Sequence, residues 1–138
     1  MSERSQQPGR GPRLFTVDEA NALLPTLEPI LRRMQTRMQE VDRARRRLTE
    51  LTPAMRGNGH GAETSTLEAR LEELATELTA DLRRVSEQGV EIKDLDQGLI
   101  DFPSLREGRV VYLCWRLGEG KLAFWHELDG GFAGRQPL

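Results

Sequence analysis

The sequence predicts an α+β domain: a long antiparallel, coiled-coil-like helical hairpin followed by a small antiparallel β-sheet module. Three observations carry that prediction. Apolar residues recur at spacings of three and four from Leu24 to Val85, and the pattern changes to alternation after Gly89. A stretch with alternating glycines, Gly57-Asn58-Gly59-His60-Gly61, divides the helical part in two. Both tryptophans, Trp115 and Trp125, lie in runs rich in Val, Leu and aromatic residues, as strands do.

At 138 residues the chain suits one domain, expected over residues 14–138, with the hairpin at 14–89 and the β module at 90–138. Residues 1–13 are Gly, Pro, Gln, Ser and Arg and are expected to form a disordered tail. Apolar residues make up 37% and charged residues 30%, which fits much exposed helix surface rather than a spherical core.

Thr16-Val17-Asp18-Glu19 reads as a capping box, with Phe15 placed as a hydrophobic staple. Apolar residues at 24, 27, 31, 34, 38, 41 and 48 form a heptad seam interrupted by Arg45. Pro25 and Pro29 each remove an amide, so a break is expected, with a short helix at 17–23 and a long one from about 26 to 52. Pro53 to Glu63 reads as a hairpin tip with His60 a solvated loop residue; no Gly-Lys-Ser/Thr ending makes it a phosphate loop. Ser65-Thr66-Leu67-Glu68 offers a second capping box, followed by Leu67, Leu71, Leu74, Leu78, Leu82 and Val85, with Gly89 as the stop. The first helix is arginine-rich and the second acidic, which favours their antiparallel pairing.

Strands are expected at 90–93, 98–102, 109–117 and 121–128, in a sheet of three or four, with Gly118-Glu119-Gly120 as a hairpin loop. The tail from Asp129 reads as irregular but packed through Phe132. Hairpin register puts Tyr112 opposite His126 and Cys114 opposite Phe124. Val110, Tyr112, Cys114, Arg116, Leu122, Phe124, His126 and Leu128 then share one face, and Val111, Leu113, Trp115, Leu117, Ala123 and Trp125 the other. One face can pack on the helices; the other needs the C-terminal tail or a partner chain to cover it.

A net charge of −2 gives no electrostatic case for nucleic acid or anionic membrane. No stretch approaches the roughly 20 apolar residues of a membrane span. The single cysteine, Cys114, and the polar N-terminus without an apolar run point to the cytoplasm. The arginines at 43 and 45–47 lack interleaved aromatics and read as an ion-paired, solvated face. Asp94-Leu95-Asp96-Gln97-Gly98 begins like a calcium loop but lacks its closing glutamate.

His126 invites a functional reading. It lies diagonal to Cys114, with Asp101 and Glu119 candidates to approach, and these four side chains could bind zinc, iron or manganese. No His-x-x-x-His or Cys-x-x-Cys pair reinforces the spacing. The structural alternative is a buried histidine hydrogen-bonded to Asp101. Arg106, Arg109, Arg116 and Arg135 could clamp an anion, or simply balance nearby carboxylates.

Four segments resemble a known family: Phe15 to Pro25, Lys93 to Pro103, Leu113 to Glu119, and Trp125-His126-Glu127. The bacterial family they resemble is known only as domain of unknown function 2203. The resemblance implies a whole-chain domain from Leu14 and supplies no mechanism. It also implies a site among Asp101, Cys114, Glu119, His126 and Arg135, the positions that match the family's polar pattern.

No motif names a reaction. The reading is a small metal- or ligand-binding protein with its site in the β module: metal at Asp101, Cys114, Glu119 and His126, ligand at Arg116 and Arg135. The alternative is an interaction or scaffolding module acting through the hairpin, with no catalytic site. Leucine-rich surface left by an elongated hairpin leads to the expectation of a homodimer.

Overall fold

The computed structural model describes residues 13–51 and 60–138. Two helices, α1 (Val17–Glu50) and α2 (Gly61–Glu87), precede five strands: β1 (Glu91–Asp94), β2 (Leu99–Arg106), β3 (Arg109–Arg116), β4 (Phe124–His126) and β5 (Gln136–Pro137). The strands form one antiparallel sheet in sequence order. The α+β architecture is as the sequence predicts. Residues 1–12 of the expected tail and most of the tip at 53–63 lie outside the described residues. Arg13, expected in the tail, donates to the Gln88 carbonyl at 3.1 Å and lies over the Phe15 ring.

α1 starts at the predicted box. Thr16 Oγ1 accepts from the Glu19 amide at 3.1 Å while the Glu19 carboxylate accepts from the Thr16 amide at 2.8 Å. The expected break at Pro25 and Pro29 does not occur, and one helix runs through both. Both prolines lie on the exposed side of the helix, while Leu24, Leu27 and Leu31 are locked into the core. Tertiary packing overrides the local penalty.

The second capping box is also corrected. α2 begins at Gly61, and Thr64 and Thr66 turn their hydroxyls back to the carbonyls of His60 and Ala62, inside the helix. His60 is the N-cap residue and its Nδ1 lies 3.3 Å from Glu63, which Arg47 of α1 grips at 2.6 and 3.0 Å. It is therefore engaged with the hairpin rather than merely solvated.

The seam of α1 serves two surfaces. Its first half, Ala20, Leu24, Leu27 and Leu31, packs against Ile100, Phe102, Val111, Leu113, Trp115 and Trp125 of the sheet. Farther along, α1 meets α2 through charge as well as apolar contact. Asp81 of α2 is fully buried and accepts from Arg33 at 2.6 and 3.1 Å, from Arg37 at 2.7 Å and from Arg84 at 2.7 Å. Arg70 of α2 returns the contact to Glu40 of α1. The expected complementarity of the two helices is present.

The segment before α1 fixes the sheet to the helices. Phe15 donates its amide to the Pro103 carbonyl at 2.7 Å, accepts from the Ser104 hydroxyl at 2.6 Å, and stacks edge-on against Phe102. β2 runs on to Arg106, past the expected end at residue 102. β4 is shorter than the expected 121–128, because residues 117–123 leave the ladder. Trp115 Nε1 donates to the Gly120 carbonyl, and Leu122 donates its amide to Asn21 of α1, so the loop folds onto the helix. Leu122 is thereby in the core, not on the face with His126. The tail is not wholly irregular: Phe132–Gly134 form a 3₁₀ turn and β5 pairs with β4. No helix among the described residues is long and apolar enough to cross a membrane.

Candidate metal centre

The face of the sheet turned away from the helices carries the site. Across it runs one row, Glu91, Asp101, Cys114 and Phe124, each directly opposite the next. His126 lies opposite Tyr112, as hairpin register predicts, and is therefore diagonal to Cys114. Its imidazole reaches over β3, and Nε2 lies 2.9 Å from Asp101 Oδ2. Asp101, Cys114 and His126 are each at most 2% exposed. One donor atom from each falls within 4.8 Å of the other two.

The protonation of this cluster follows from hydrogen-bond accounting. His126 Nδ1 lies 2.6 Å from the Glu127 carbonyl, which can only accept, so Nδ1 carries a hydrogen. Nε2 of a neutral imidazole is then an acceptor facing Asp101. A proton must lie between the two, on the carboxyl or on the ring. Burial pushes the Asp101 carboxyl above its ordinary range, against the pull of His126 and Cys114. Burial, with Asp101 alongside, pushes the Cys114 thiol up to about 12. Without a cation the thiol stays protonated and unreactive.

The cluster forms the floor of a cavity of about 210 Å³. One side is built by Leu128, Asp129, Gly131 and Phe132, and the rim by Lys93 and Leu99. Lys93 is the extra residue of a β-bulge, since Ile92 pairs with Ile100 and Asp94 with Leu99. Its Nζ bonds Glu91 at 2.7 Å and lies 4.4 Å from the Tyr112 ring centroid. Tyr112 in turn donates to Glu91 and packs beside His126, ring centroids 5.5 Å apart.

Of the four expected metal ligands, three are brought together and Glu119 is not. Glu119 accepts from both terminal nitrogens of Arg135 at 2.7 Å and closes its own turn by accepting from the Arg116 amide. Burial works against its charge, yet Arg135 holds its carboxyl below the ordinary range. Arg135 is engaged in the same way, since besides Glu119 it lies between the rings of Phe124 (3.9 Å) and Phe132 (4.5 Å). Its Nε is buried and has no hydrogen-bond partner among the described residues. Arg116 stands 5.7 Å from the Phe132 ring and is exposed. Arg109 pairs with Glu127 at 2.6 Å, and Arg106 lies over Trp125. The four arginines do not converge on one anion site.

Lys93, Tyr112 and the wall from Leu128 to Phe132 were not expected at the site. Extending the alternation of Asp101 across one more strand would have placed Glu91 beside it, and the bulge that aims Lys93 has no sequence signal of its own.

The fold and site together define an α+β protein, helical hairpin plus antiparallel meander, with a buried carboxyl–thiol–imidazole cluster under a small cavity. A family model described as an uncharacterized conserved protein (DUF2203) matches residues 13–138, and the chain belongs to that family. Nothing among the curated proteins matches the chain. No solved structure matches it either.

Proposed function

We propose that the protein binds a divalent transition metal, zinc above all, through Asp101, Cys114 and His126. The observation that carries this reading is the meeting of three chemically different donors within 4.8 Å at the floor of a cavity. A purely structural histidine needs a partner for each nitrogen, but it does not need a thiol in the same place. The carbonyl of Glu127 holds Nδ1–H and leaves Nε2 as the coordinating atom, the arrangement that orients metal-binding histidines. Three protein donors with an open side suit a site that admits water or a small ligand, and a carboxylate–thiolate–imidazole set suits zinc. A bound cation would supply Lewis acidity there; Lys93 at the rim would orient what enters. The lone buried thiol supports the cytoplasm as the setting.

The test is elemental analysis of untagged protein after zinc exposure and dialysis, for wild type, His126→Ala and Asp101→Asn, with cobalt substitution as a second readout. The expected result is about one metal per wild-type chain and a near-ultraviolet thiolate-to-cobalt band, both lost in the variants. No metal in wild type, with the variants merely less stable, would make the cluster structural.

A further inference from the structure

We infer that the segment from Leu128 to Gly134 is a lid over the cavity and that the Glu119–Arg135 pair is its latch. The wall of the cavity formed by Leu128, Asp129, Gly131 and Phe132 comes entirely from this one connection between β4 and β5. The segment is weakly seated. Leu128 is 55% and Phe132 38% exposed, Gly131 has φ +62°, and the only regular structure is a single 3₁₀ turn. Its far end runs into β5, which pairs with β4, and Arg135 at that junction supplies the side-chain hold on the segment itself. That guanidinium makes two 2.7 Å bonds to Glu119 on the β3–β4 loop and clamps Phe132 from one side and Phe124 from the other.

The charge pair explains why Glu119 belongs near the site without being a ligand. Release of Arg135 from Glu119 frees Phe132 from its clamp and uncovers the cluster on the cavity floor, whose three residues are at most 2% exposed. The cavity, about 210 Å³, is small and only partly closed. Its walls are mostly apolar, with Lys93 and Asp129 as the charged groups. The lid therefore admits a ligand of a few heavy atoms, not a polymer or a nucleotide. That such a ligand meets a metal rests on the proposed function; the lid itself does not.

Cys114 is the chain's only cysteine and lies on the cavity floor, where burial keeps its thiol protonated, so alkylation reports an opening that hydrates it. Phe132→Ala, which changes no charge, separates that opening from a direct effect of Glu119 on the thiol. The experiment measures iodoacetamide labelling of metal-free wild type, Glu119→Gln and Phe132→Ala, across urea concentrations below the unfolding transition. Glu119→Gln keeps the oxygen that closes the Arg116 turn and removes the charge. Both variants are expected to label about tenfold faster or more, with little urea dependence, the size of effect that losing a charged hydrogen bond produces. Labelling at the wild-type rate, or faster labelling that follows the urea dependence of global unfolding, would overturn the lid. A parallel arm with zinc reads the metal separately: protection of Cys114 supports the metal centre, and its absence sinks that reading while leaving the lid to stand or fall on the variants.

Discussion

His126 Nε2 and Asp101 Oδ2 lie 2.9 Å apart with a proton between them, although the two residues sit on strands separated by β3. The Glu127 carbonyl enforces this by taking the other ring hydrogen. Under the proposed function, a cation entering the cluster would take the place of that proton.

Zinc binding should accordingly release protons, one from the Asp101–His126 pair and one from Cys114. Ligands must be deprotonated to coordinate, so affinity rises with pH. Titration calorimetry in buffers of different ionisation enthalpy should show heats that scale with the buffer. Heats independent of the buffer would mean that the cation binds elsewhere.

The two buried aspartates should act on stability in opposite senses. Hydrogen bonds from Arg33, opposed by burial, hold Asp81 below its ordinary 3.8, so its contribution is present above 3.8 and lost as pH falls toward the folded value. Burial raises Asp101, so the folded state binds its proton more tightly and stability is lost as pH rises through the folded value. Asp81→Asn should cost about 2 kcal/mol at neutral pH, and the deficit should shrink in acid. Asp101→Asn should gain on wild type as pH rises from acid to neutral. Thermal melts across pH decide; parallel curves for the two variants would contradict the assignment.

Gly98 closes the β1–β2 turn at φ +68°, and a β-carbon there would stand 2.5 Å from Leu117 Cβ. Its carbonyl also accepts from the Leu117 amide at 3.0 Å. Gly98→Ala should destabilise the protein by about 2 kcal/mol or more in urea titrations. A loss below about 0.5 kcal/mol would show that the turn adapts.

Pro25 and Pro29 are exposed within α1 and bury nothing on replacement. Changing either to Ala restores an amide donor to the helix, offset by greater freedom of the unfolded chain. Each should raise stability by about 1 kcal/mol. A drop in melting temperature would instead show that the helix needs its proline geometry.

How far these features could be read from the chain alone differs by scale. The switch from spacings of three and four to alternation locates the helices and the sheet, because that pattern records burial directly. Local signals that compete with packing mislead. Pro25 and Pro29 suggest a break that the sheet-facing leucines suppress, and Ser65-Thr66 mimics a cap inside a helix that already begins at Gly61. The site is half legible. Tyr112 opposite His126 follows from the hairpin, and Asp101 can be nominated as a partner. Glu119 cannot be told from a ligand, since only the path of the tail brings Arg135 to it.

The division of the α1 seam has a mechanical consequence. Its first half is clamped by the sheet, and Gln35 still bonds the Leu95 and Asp96 carbonyls. Beyond Gln35, α1 leans, among the described residues, on α2, so the far end of the hairpin projects like a cantilever from a rigid block. Such a beam can melt from its free end without disturbing its root. Amide exchange should then divide the chain into two cooperative units, a slow one holding β2, β3 and the first turns of α1, and a faster one beyond Asp81's cluster of arginines. Asp101 and Cys114 lie in the slow unit, and His126 is tied to it from β4. The projecting arm is free to change length or charge without retuning the cluster.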